Sequence, residues 1–74
     1  MRRADLTRPA ETALTAMPDG VHEEALALVG DIADARAGDA GWMTVVDAVL
    51  RGPVWVVYVA IGGLLVVLDT GRAA

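Results

Sequence analysis

From residue 54 to residue 68 the chain is apolar at nearly every position, interrupted only by Gly62 and Gly63 and softened by the polar tips of Trp55 and Tyr58. Hydrophobicity recurs there with neither a period of two nor a period of 3.6, so an element formed by this run is apolar all round. The uncharged stretch between Arg51 and Asp69 is seventeen residues long. As a helix it would measure about 25 Å at about 1.5 Å per residue, against a bilayer hydrocarbon core of about 30 Å. Residues 42–50 add Trp42, Val45, Val46, Val49 and Leu50 on one helical face, with Asp47 and Arg51 on the other, so an embedded helix can begin before Pro53. The pattern predicts an all-α chain: a single transmembrane helix near the C-terminus, at about residues 52–68, with no independent globular core.

Two other readings of the same run stay open. One is a helix buried in the core of a filament or oligomer. The other is a β-hairpin, with strands at 54–61 and 64–70 about Gly62-Gly63, because β-branched residues dominate and two glycines have the spacing of a tight turn. A hairpin would be apolar on both faces. The short helices upstream could cover one face at best, and the other would be left as an aggregation surface. That objection favours the rod in lipid.

One or two short amphipathic helices are predicted upstream. Residues 6–17 offer Thr7 as a cap, Pro9 in the first turn and Glu11 near the positive end, with Leu6, Ala10, Leu14 and Met17 on one side. Pro18-Asp19-Gly20 ends that segment. Residues 21–37 are better patterned: Val21, Ala25, Leu28, Ile32 and Ala35 recur at alternating steps of four and three, and Glu23, Glu24, Asp31 and Asp34 take the other side. This seam reads either as a partner-binding face or as packing against the chain's own neighbouring helices.

Charge divides the chain at the same place. Residues 1–40 hold eight acids against four arginines and so account for the whole net charge of −4, while Asp47 and Asp69 balance Arg51 and Arg72 in the second half. The division predicts an acidic extramembrane segment at 1–40 and a membrane-associated region at 41–74 with a short polar tail. An acidic front with scattered arginines argues against nucleic acid as a partner. Arg2 and Arg3 are not followed by the apolar stretch of a secretory signal.

Candidate residues follow from the membrane reading. Trp42, Arg51, Trp55, Tyr58 and Arg72 would lie at the membrane interface. Ala60, Gly62 and Gly63 would form a notch for helix packing. Arginine counts on the two sides of the span place the N-terminus in the cytoplasm, with the helix in a bacterial or archaeal inner membrane.

Chemistry is sparsely represented. Cysteine is absent and His22 is the single histidine, so neither a thiolate site nor a multi-histidine metal site can be built. His22, Glu23 and Glu24 are consecutive and point apart on a helix. Nucleophilic catalysis would rest on threonine without a base beside it. The expectation is a non-enzymatic protein with no cofactor. It would be a small single-pass, tail-anchored accessory subunit that packs its helix against a larger integral membrane protein complex, with lipid around it. The alternative is a self-assembling helical subunit of a filament, coat or holin-like pore, in which its partners are copies of itself. In outline the layout is similar to filamentous-phage coat subunits and to small accessory subunits of respiratory or photosynthetic complexes, although no motif is specific to either.

Overall fold

The computed structural model describes residues 4–73, and in it the apolar run forms two strands rather than one helix. The elements in chain order are β1 (Ala4–Leu6), α1 (Arg8–Ala16), α2 (Asp19–Arg36), β2 (Thr44–Arg51), β3 (Val54–Ile61) and β4 (Leu64–Arg72). They make a mixed four-stranded sheet in the order β1-β4-β3-β2, with β1 parallel to β4 and the other pairs antiparallel. The expected all-α architecture is thus replaced by an α+β one. No described helix is long and apolar enough to cross a membrane. The single-pass span at 52–68, the tail anchor, the accessory-subunit function and its helical-subunit alternative all fall with that helix, as does the inner-membrane placement derived from it.

The physical reason lies in the residues of the run. Val54, Val56, Val57, Val59 and Ile61 are β-branched, which suits a pleated strand and costs rotamer freedom in a helix. Gly62 then takes φ +61, a left-handed value that suits the two-residue hairpin linking β3 to β4. Gly52, at φ +58, does the same between β2 and β3. Of residues 42–50, expected as a helix, 44–50 lie in β2. Their apolar positions Val45 and Val49 fall on one side of a strand, and Val46 and Leu50 on the other.

The helices do form. Thr7 caps α1, its hydroxyl accepting from the Ala10 N–H at 3.3 Å, with Pro9 and Glu11 in the first turn. Pro18 separates α1 from α2, where no side chain caps the first turn. Both helices lie on one face of the sheet. There Ala10 and Leu14 from α1 meet Ala25, Leu28, Val29, Ile32 and Ala33 from α2. Beneath them are Val54, Val56, Tyr58 and Ala60 of β3 and Leu65 and Val67 of β4. This is one continuous core, contrary to the expectation of none. The Cα radius of gyration, 11.7 Å, is close to the about 11 Å of a folded chain of this length.

Two contacts lock the first segment onto the last strand. The pairing Ala4↔Leu65, Asp5↔Val66 and Leu6↔Val67 sets β1 along β4. Just beyond it, the Thr7 N–H donates to the Val67 carbonyl at 3.0 Å and the Thr7 hydroxyl to the Leu68 carbonyl at 2.6 Å. Leu68 is the extra residue of a β-bulge, since Val57 pairs with Asp69 and Tyr58 with Val67. Thr7 therefore caps a helix and satisfies a bulge with one hydroxyl.

Candidate functional site: the open face of the sheet

Strand alternation sorts the residues of the apolar run into two sets. Val54, Val56, Tyr58 and Ala60 point to the helices and are buried, while Trp55, Val57, Val59 and Ile61 point the opposite way. The cross-strand register extends the second set: Val46 pairs with Val59, Ala48 with Val57 and Leu50 with Trp55 on β2, and Leu64 with Ile61 and Val66 with Val59 on β4. No described helix covers this side. The result is a three-strand surface that is aliphatic and aromatic throughout its middle. Val46, Leu50 and Ile61 are 68%, 65% and 48% exposed, and Trp55, Val57, Val59, Leu64 and Val66 are half-buried by one another.

Among the described residues, charge and polarity are confined to the margin. Thr44, opposite Ile61, is at one corner, and Asp5 and Asp69 flank the face along the β1 and β4 side, opposite Val66 and Val57. Trp42, 84% exposed, sits in the turn before β2. That turn lies at the Ile61 end of the face: the Gly62 N–H donates to the Met43 carbonyl at 2.8 Å, and a Cβ on Gly62 would come within 3.1 Å of the Gly41 Cα.

One backbone donor on each free sheet edge is taken by a side chain. On β2, Asp47 Oδ1 accepts from the Ala48 N–H at 2.8 Å, and on β4, past the three residues paired with β1, Asp69 Oδ1 accepts from the Thr70 N–H at 2.9 Å. Each carboxylate takes up a backbone donor that an added strand would otherwise use.

The helix side holds a second feature, a cleft of about 370 Å³ between α2 and β2–β3, bordered by Asp31, Arg36, Asp47, Arg51 and Tyr58 over a floor of Leu28, Ile32 and Val49. Its charges are matched internally. Arg51 meets Asp31 at 2.7 Å. Arg36 donates from Nε and Nη2 to the Tyr58 hydroxyl at 3.3 and 3.2 Å, with Asp39 at 3.7 Å from Nη1. The Tyr58 hydrogen bond raises the Arg36 pKa further above its ordinary value, against the opposing effect of partial burial. A guanidinium and a carboxylate that neutralise each other leave little field for a charged ligand.

The residues singled out from the sequence are distributed over both faces. Trp55 belongs to the open side, Trp42 is exposed in the turn at its Ile61 end, Tyr58 and Ala60 are in the core, Gly62 and Gly63 form the β3–β4 turn, Arg51 ends β2 in its ion pair with Asp31, and Arg72 is exposed at the end of β4. Of the seam, Ala25, Leu28 and Ile32 are buried against the sheet, Val21 packs at the core's margin and Ala35 is exposed. His22 is half-buried, with Nδ1 2.7 Å from the Leu14 carbonyl, and so ties α2 to the end of α1. Among the described residues there is no group of three or more potential metal ligands. Sequence reasoning missed the open-face residues Val46, Leu50, Val57, Val59, Ile61, Leu64 and Val66 as a set. Their signal was the missing alternation itself, since a strand apolar on both sides has two surfaces to cover. The chain matches no protein-family model, no curated protein and no solved structure.

Proposed function

We propose that this chain is a non-catalytic association module whose open sheet face is its binding surface. One observation carries the reading: the face is continuously apolar across β2, β3 and the Leu64–Val66 part of β4, with the charged groups of the described residues at its margin. A contiguous apolar patch of a few hundred Å² is the size of the largest patch on a typical monomer, and such patches are often contact surfaces. The chemistry of the face suits a protein partner. Trp42 and Trp55 are the kind of anchor that dominates interface energetics, and the branched aliphatics around them are ordered by the sheet before binding, which lowers the entropy cost of association.

The test places a photo-crosslinking amino acid at Leu50, exposed on the open face, and in a parallel variant at Thr12, exposed on α1 on the helix side. Irradiation in cells is expected to give a discrete crosslinked protein product from residue 50 and none from residue 12. Equal labelling from both, or none from residue 50, would overturn the reading.

A further inference from the structure

We infer that the occupant of the open face is a second copy of this chain, stacked face to face to make a two-sheet sandwich with the helices outside. The inference rests on the association reading above and adds the identity of the partner.

Area is the first argument. Three strands at about 4.8 Å spacing and eight residues at about 3.3 Å give a footprint on the order of 400 Å². A tryptophan ring at the margin, such as Trp42, buries on the order of 150–250 Å² more. Two copies then remove about 1,100 Å² in total, which just clears the roughly 1,000 Å² expected of a specific interface. The face is large enough for one sheet and no larger, so its dimer is reversible rather than obligate.

Charge is the second. Each chain carries −4, so copies repel unless their acids are kept apart. A two-fold axis lying in the interface parallel to the strands sets the β4 side of each copy, with Asp69, over the β2 side of the other. That side presents Thr44, Val46, Ala48 and Leu50, with no acid on this face. The centre of the face has no charge to desolvate, and aligned sheets stack within about 30° of parallel.

The edges are the third. Asp47 and Asp69 engage the next residue's N–H, which removes one donor from each free edge and weakens strand addition there. Copies are thereby directed to meet by their faces, giving a closed pair rather than a fibre.

Sedimentation equilibrium of the purified full chain, over a range from low micromolar to near millimolar, tests this. The mass is expected to rise from the 7.7 kDa of one chain to twice that value. Val59→Arg, at the centre of the face, should weaken dimerisation at least tenfold with unchanged circular dichroism, and Thr12→Arg should not alter it. Leu50→Arg carries the comparison if the central variant does not fold. A chain that stays monomeric at all concentrations, a dimer indifferent to a folded face variant, or assembly beyond two copies would overturn the inference. A monomeric chain that still crosslinks another protein from residue 50 refutes the second copy while leaving the association reading standing. The absence of any crosslink refutes both.

Discussion

The indole of Trp55 occupies the space that a side chain at residue 71 would fill. The two residues are cross-strand partners, and a Cβ built on Gly71 would lie 2.6 Å from Trp55 Cε2 and 3.0 Å from Nε1. The glycine gives the ring a flat seat on β4 at the end of the open face. Gly71→Ala is therefore expected to displace the ring and destabilise the fold by about 1–3 kcal/mol, the usual range for overpacking. Urea denaturation gives the magnitude. Near-ultraviolet circular dichroism should report the moved indole, and adding Trp55→Val should restore most of the loss, with non-additivity showing that the two sites act as a pair.

The two hairpin glycines differ in a way that can be measured. Gly52 and Gly62 both have positive φ, but a Cβ at Gly52 meets open space whereas one at Gly62 meets the Gly41 backbone at 3.1 Å. Gly52→Ala should cost about 1–2 kcal/mol from backbone strain alone. Gly62→Ala should cost more, because the turn before β2 must also shift. Equal values in thermal or chemical unfolding would show that the 41–42 turn yields freely.

Thr7 has two bonded roles, as the α1 cap and as donor to the bulge carbonyl of Leu68. Thr7→Val keeps the shape and removes both. A loss of about 1–2 kcal/mol is expected, from a lost cap together with an unmet carbonyl. Thr7→Ser should retain most of the stability, and amide exchange near residues 65–68 should quicken in the valine variant alone.

The Asp31–Arg51 pair is short, at 2.7 Å, but its side chains are 63% and 54% exposed. Such a pair is worth little in water. Asp31→Asn should change stability by less than about 1 kcal/mol, and the difference should shrink as salt is raised. A larger or salt-independent effect would mean that the cleft at the β2 end of α2 is drier than its exposure indicates.

Local features were legible in the sequence where one residue type answers one backbone need. The hydroxyl of Thr7 before Pro9 and Glu11, the break at Pro18, and the glycines between two apolar stretches all depend on neighbours a few positions away. The strands were harder to read for a single physical reason. Alternation reveals a strand when one face is wet and polar. Here Val46 and Leu50 oppose Val45 and Val49 on β2, and Trp55, Val57 and Val59 oppose Val54, Val56 and Tyr58 on β3, so both faces carry the same chemistry. The feature that hid the strands is the one that makes the open face.

The amino-acid order by itself determined the apolar run, its β-branched character, the two capped or proline-bounded helical segments and the places where the chain must turn. Which of those segments share a core was decided only in three dimensions, when Ala4–Leu6 paired with β4 about sixty residues away and brought α1 and α2 down on one side of the sheet. Periodicity within a segment reports how many of its faces are apolar. It carries no record of which face a distant element will cover, because that contact is set by packing across the chain rather than by neighbours along it.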